Sequence, residues 1–199
     1  MKKEIKTDKE NSLLELMKSR RSVRAFRPDP LSDEDLNDIL EAGRIAPSSQ
    51  NRQPWRYVVF TDQDEIRKLA RHTGLLGLSN FFIKDAPCVI IACAEMKKNL
   101  NVNNKDYYLV DTAISFHQII LCAWEKGIGS CWMAAFSEKL LSRYLKIPKS
   151  WRIVAMSPFG YPEDEEGFYG KLLHKFSSGE RRVPMEEIIQ FWHAEDAKQ

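Results

Sequence analysis

Apolar residues recur along this chain at two periods, and the two periods separate its helices from its strands. Ser12-Leu13-Leu14-Glu15 has the form of a capping box, with Leu13, Leu16 and Met17 sharing the helical face behind it. A second helix starts at Ser32, where Leu31 and Leu36 are placed as a hydrophobic staple; its stripe of Leu36, Ile39 and Leu40 ends near 43–46. A third spans 62–72, capped by Asp62 with Glu65 behind it. The longest helical pattern covers 106–126. Leu109, Val110, Ala113, Ile114, Phe116, Ile119, Ile120 and Trp124 put apolar groups on nearly every face of it. Such a helix is buried all round, and in so short a chain that implies burial against a second subunit. Shorter helices are expected from Ser137 to Leu145 and from Met185, where Ile188, Ile189 and Trp192 give a tail that should wrap onto something.

Strand patterns lie between these. Arg56–Thr61 reads as one strand, and Pro87–Ala94, an unbroken apolar run, as a strand covered on both faces. Gly127 stops the long helix, after which a strand returns. Trp151–Ser157 is another buried strand, and Pro158-Phe159-Gly160-Tyr161-Pro162 turns out of it. Residues 1–11 read as a flexible, polar arm without the apolar core of a signal peptide, ahead of a single domain over 12–199. The apolar, glycine-containing stretch 74–80 is a flexible loop or short helix, and the asparagine-rich stretch 96–105 should be the most mobile.

Composition narrows the function. Of 199 residues, 30 are lysine or arginine and 28 aspartate or glutamate, a net charge of +2. The chain is not a polycation, so any anion site is local and broad nucleic-acid binding is disfavoured. Cys88, Cys93, Cys122 and Cys131 lie in apolar runs, without C-x-x-C and without histidines at zinc-ligand spacing. They read as buried reduced thiols, which fits a cytoplasmic setting. No apolar window of about 18 residues is present to span a membrane.

Three stretches carry candidate chemistry. Arg20-Arg21-Ser22-Val23-Arg24-Ala25-Phe26 places three guanidinium groups and a hydroxyl within five residues. In extended conformation Arg20, Ser22 and Arg24 share one face, an edge suited to an oxyanion, with Phe26 pinning the strand into a core. A solvated basic run is the alternative. Pro47-Ser48-Ser49-Gln50-Asn51-Arg52-Gln53-Pro54-Trp55 holds two prolines, two serines and three amides in nine residues. Its amides match the edge of a planar heterocycle, unless it is an ordinary turn cluster. Gly127-Ile128-Gly129-Ser130-Cys131-Trp132-Met133-Ala134-Ala135-Phe136 opens with G-x-G, but Trp132 occupies the third glycine position and the run follows a helix, which rules out a Rossmann fingerprint. Small side chains at Ala134 and Ala135 let backbone approach a flat ligand. His117 reads as a core or interface histidine, and no Ser-His-Asp or Cys-His arrangement is found.

Together with an R-R-x-P-x-E-E-I tail, these motifs occur in the order and spacing of the flavin-dependent nitroreductase family, which the chain resembles over about residues 12–192. The resemblance implies an α+β fold with a central, mostly antiparallel sheet flanked by helices, and an interleaved homodimer that exchanges C-terminal arms. It implies two FMN molecules in the dimer interface. Arg20, Ser22 and one of Arg181 and Arg182 would hold the FMN phosphate, which carries about −2 charge. Arg21 would bind phosphate or ribityl, and Arg24 would lie near the pyrimidine side of the ring. Asn51 would bond the ring's amide edge, Pro47, Ser48 and Ser49 would reach the other subunit's flavin, and backbone around Met133, Ala134 and Ala135 would line its N5 and O4 edge. Many relatives have glycine where this chain has Ala134 and Ala135. The implied activity is ping-pong hydride transfer from NADH or NADPH to a nitroaromatic, quinone or enone, with the acceptor pocket shaped by 74–80 and 101–108; Tyr107 and Tyr108 would stack on an aromatic acceptor or pack in the dimer. A specialised relative (a dehalogenase or an azoline oxidase) and an FMN-binding protein without turnover are the alternatives.

Overall fold

The computed structural model of the protein describes residues 12–73, 80–163 and 182–192. They fall into two units, 12–163 and 182–192. In the larger unit the elements run α1 (Leu13–Ser19), α2 (Asp33–Arg44), β1 (Trp55–Phe60), α3 (Gln63–Ala70), β2 (Cys88–Glu95), β3 (Asn101–Val102), β4 (Lys105–Asp106), α4 (Tyr107–Glu125), β5 (Gly129–Ser130), α5 (Glu138–Tyr144) and β6 (Trp151–Gly160). The expected caps form: the hydroxyls of Ser12, Ser32 and Ser137 and the carboxylate of Asp62 each accept an orphan backbone N–H of the first helical turn.

Four strands make one sheet in the order β1-β2-β6-β5, antiparallel throughout. Central β2 shows why an unbroken apolar run is required: every residue from Cys88 to Ala94 is fully buried. Because side chains alternate, Cys88, Ile90 and Ala92 face one core, with Ile39 of α2 and Phe116, Ile119, Ile120 and Ala123 of α4. Val89, Ile91 and Cys93 face the other, with Ile66 and Leu69 of α3, Val23 and Phe26. Each fully buried aliphatic side chain contributes about 1.5–3 kcal/mol, so the sheet is the rigid base of the unit.

Three features depart from the sequence pattern. β6 runs on through Pro158 to Gly160 instead of turning out at Pro158; proline's fixed φ lies close to extended backbone, and Pro158 sits opposite Val89. The returning strand after Gly127 is only two residues long, because the Cys131 N–H donates to the Ser157 hydroxyl (3.1 Å) and pairing resumes only at Met133, opposite Met156. The asparagine-rich stretch holds a small hairpin of β3 and β4, turned by Asn103 and Asn104 at positive φ and tied by bonds from Asn99 and Asn101 to the Asp106 carboxylate (both 2.8 Å). In addition, α4 is not covered on all sides within the chain: Leu109, Val110, Ile114 and His117 are exposed.

The smaller unit contains α6 (Met185–Ile188), a single helical turn, and it exposes Val183, Met185, Ile188, Ile189, Phe191 and Trp192.

Candidate functional site

The site is built on the edge of the sheet at β5. Ser22 forms a parallel bridge to Ser130, and the Val23 N–H donates to the Ser130 carbonyl (2.9 Å). Further along, Phe26 bridges Pro162 and the Arg27 N–H donates to the Tyr161 carbonyl (2.9 Å). These bonds hold the arginine stretch against β5 and the chain just after β6, with Val23 and Phe26 both turned into one core. Val23 is buried in the core, whereas Arg20, Ser22 and Arg24 all act on the Cys131 thiol: burial pushes that thiol's pKa up, and the two arginine charges and the Ser22 hydroxyl oppose the rise. Arg20, Ser22 and Arg24 thus all lie close to one thiol at the end of β5, and Arg21 is exposed. Arg20 also lies near His117 of α4, whose imidazole, although exposed, is held below its ordinary pKa by partial desolvation and by that charge.

Among the described residues none of Arg20, Arg21 and Arg24 has a carboxylate partner. Most other arginines of this unit do: Arg27, Arg44, Arg56, Arg67 and Arg152 are each ion-paired. A local cluster of uncompensated guanidinium groups with a hydroxyl on a rigid edge is the donor set that a phosphate dianion requires, so these residues fit the phosphate of FMN.

The second motif forms a loop with unusual backbone. Gln50, Asn51 and Gln53 have φ of 52°, 55° and 48°, a left-handed region that non-glycine residues enter only when held there. The holding bonds are explicit. The Gln53 N–H donates to the Ser48 hydroxyl (3.0 Å), leaving that hydroxyl's own proton available. Arg52 donates to the Gln50 side-chain oxygen (3.0 and 3.2 Å) and to the Asn99 carbonyl (3.3 Å). The Asn51 side-chain oxygen accepts from Gln53 (2.8 Å), so its NH2 remains to donate outward from an exposed position. Ser49 donates twice, through N–H and hydroxyl, to Asp111 Oδ1 (both 2.9 Å). Pro47 is exposed at the loop's entrance.

In the third motif, Met133 is buried by its pairing with Met156, and Ala134 and Ala135 are exposed. The Asn80 amide fixes this backbone by donating to the Ala135 carbonyl (2.9 Å). Trp132 packs on Phe116 at 5.1 Å between ring centroids. Of the tail pair, Arg182 is exposed in the smaller unit, and Arg181 lies outside the described residues, as do 74–79 of the expected acceptor pocket.

Three supporting residues escaped the sequence reading. Ser130 and Asn80 left no trace in it, since each acts through a bond to distant backbone. Asp111 did leave one: a lone carboxylate inside the most apolar helix is too costly to bury without partners, and Ser49 supplies them.

The chain is similar to known proteins. The model of the nitroreductase family matches residues 17–76 and 73–161. A relative from Archaeoglobus fulgidus, provisionally named an NADH dehydrogenase/NAD(P)H nitroreductase, is 31% identical over 160 residues, covering 78% of this chain and 88% of its own length. The solved structure of a nitroreductase family protein from Clostridium novyi NT is 31% identical with a TM-score of 0.72, over 77% of this chain and 86% of that one. An FMN-dependent nitroreductase from Clostridium difficile R20291 is 28% identical with a TM-score of 0.67, over 81% of this chain and 95% of that one.

Proposed function

The chain belongs to the nitroreductase family, and from that premise we propose that it is an FMN-dependent oxidoreductase that takes hydride from NADH or NADPH and passes it to an electron-poor small molecule such as a nitroaromatic, quinone or enone. The observation that carries this reading is the gathering of Arg20, Ser22 and Arg24 at the β5 edge, where no described carboxylate pairs with them, together with a separate loop that presents the Asn51 amide.

FMN, when bound, supplies reversible hydride acceptance and donation at its ring nitrogen N5. The chain supplies the rest. Arg20 and Ser22 would grip the phosphate, with Arg21 at phosphate or ribityl. One of Arg181 and Arg182 would join them. Arg24 would place a fixed positive charge near the pyrimidine edge and so favour a reduced, anionic ring. The NH2 of Asn51 would donate to a ring carbonyl, and the Ser48 proton and the Ser49 oxygen remain able to bond a neighbouring cofactor. The backbone of 133–135, held by Asn80 and Met156, would border the reacting edge. No protein nucleophile is required.

The active form is a homodimer, with the exposed apolar faces of α1 and α4 against a second copy and the apolar side chains of 182–192 exchanged between subunits. Residues 12–199 form one FMN-binding domain. The four cysteines are free thiols, which supports a reducing, cytoplasmic setting. No described helix is long and apolar enough to cross a membrane.

Purified protein should be yellow with flavin absorption, and NADH or NADPH under nitrogen should bleach it, with colour returning on addition of a quinone. Colourless protein that cannot be reconstituted with FMN overturns the reading.

A further inference from the structure

We propose that Asp111 is a positioning residue for the cofactor: it presets the 48–53 loop in the conformation that presents Asn51. This rests on the FMN reading above and extends it to a residue on α4.

The loop is Ser48-Ser49-Gln50-Asn51-Arg52-Gln53, polar throughout, so no apolar burial can fix its shape. Three of these six residues nevertheless occupy left-handed φ. Hydrogen bonds alone must hold them there. Most of those bonds are internal to the loop, from Gln53 to Ser48 and Asn51 and from Arg52 to Gln50, and they would survive if the loop swung as a body. Three contacts tie it elsewhere. Two are long single bonds from guanidinium groups to backbone carbonyls, Arg52 to Asn99 at 3.3 Å and Arg56 to Gln53 at 3.4 Å. The third is the pair of 2.9 Å bonds from Ser49 to Asp111 Oδ1. Asp111 is only 2% exposed on a helix that packs against α2 and the sheet, so its paired, shorter bonds are the firmest of the three ties. A carboxylate accepts both protons with one oxygen, and bonds to a charged group are roughly twice as strong as neutral ones.

Without this anchor the loop can relax toward right-handed φ. The cost of ordering it then falls on cofactor binding, which lowers affinity by the fraction of molecules left in the competent shape. The arginine cluster, on a different segment, is unaffected.

The test is titration of FMN into apoprotein by flavin fluorescence, with visible circular dichroism of the bound flavin, for the parent, Asp111→Ala, Asp111→Asn and Ser49→Ala. Asp111→Ala should weaken FMN binding about tenfold or more and shrink the induced dichroism. Ser49→Ala removes the hydroxyl bond but keeps the N–H bond, so it should weaken binding about threefold to tenfold while leaving apoprotein melting close to the parent's. Asp111→Asn keeps an oxygen able to accept both protons, and should restore affinity to within about threefold and the dichroism with it. If Asp111→Ala does not fold, the decision passes to Ser49→Ala and Asp111→Asn. Folded alanine variants that bind FMN within about twofold of a parent that itself binds overturn the proposal. A parent that binds no FMN overturns the functional reading instead, so the two failures are distinct.

Discussion

Val23 occupies the space in which Gly129 has no side chain: a Cβ on Gly129 would lie 2.6 Å from Val23 Cγ2 and 2.7 Å from its Cβ. Val23 is β-branched and buried, so it cannot swing away. This contact sets how close the arginine stretch comes to β5, and with it the positions of Ser22 and Arg24 on either side of Val23. Gly129→Ala should therefore cost about 1–3 kcal/mol of stability by overpacking. It should also weaken FMN binding, because the phosphate edge is pushed off the sheet. Combining it with Val23→Ala should cost less than the sum of the two single changes, since one clash underlies both effects. Urea unfolding and FMN titration of the four proteins measure this; strict additivity would show that the contact does not couple the two segments.

The uncompensated guanidinium groups lead to a second expectation. Arg20→Ala and Arg24→Ala should each weaken FMN binding about tenfold or more, since a hydrogen bond to a charged group contributes about 1.5–3 kcal/mol. Neither change removes an ion partner from another described residue, so melting of the apoprotein should shift little. Binding by the parent should weaken with added salt, and less steeply in the variants. Riboflavin, which lacks the phosphate, should bind the Arg20→Ala protein and the parent with similar affinity. A large loss of riboflavin affinity would place Arg20 elsewhere on the cofactor.

How far the sequence foretold this depends on the range over which each signal acts. Caps, the α2 stripe and the double-sided burial of β2 were legible because they are written in adjacent residues and in period. The gathering of Arg20, Ser22 and Arg24 in one place was legible for the same reason, since they lie within five residues. The Ser22–Ser130 bridge that sets them at the β5 edge was not, because strand pairing across a chain this long has no local mark. Nor was the early end of β5, which depends on the Ser157 hydroxyl intercepting the Cys131 N–H. The bare face of α4 was legible in part: apolar residues all round a helix call for cover, expected here from a second copy, but they do not mark which of them this chain leaves exposed.

Acid should expose one ion pair selectively. Glu138 accepts two bonds from Arg152 (2.7 and 2.8 Å) and one from the Ile153 N–H (3.1 Å), joining the start of α5 to β6. The Arg152 bonds hold its pKa below the ordinary 4.5, against the opposing effect of burial. A depressed carboxylate pKa gives stability that is complete above the ordinary value and is lost as pH falls through the folded-state value. Melting temperature of the parent should thus fall more than that of Glu138→Gln on going from pH 6 to about pH 3, although the variant is the less stable protein at pH 6. Parallel melting curves across that range would show that this pair does not contribute to the acid limb.

The exposed apolar residues of α4 can be tested with a single charge. Exposed Val110 and Ile114 recur with helical spacing and, with exposed His117 and half-buried Leu121, form one stripe. Helix α1 packs on α4, with Trp124 donating to the Ser19 hydroxyl (2.8 Å), and it adds exposed Leu13, Leu14 and Met17. A glutamate at position 114 would point into water in an isolated subunit and cost the fold little, but between two subunits it would be a buried, unpaired charge. Ile114→Glu should therefore keep its far-ultraviolet circular dichroism while sedimenting as a monomer where the parent sediments as a dimer. It should also lose FMN, because on the reading above Pro47, Ser48 and Ser49 complete the site of the opposite subunit. The order of loss is informative: a variant that stays dimeric places the interface on another face, whereas a monomer that still binds FMN at parent affinity shows a site complete within one chain.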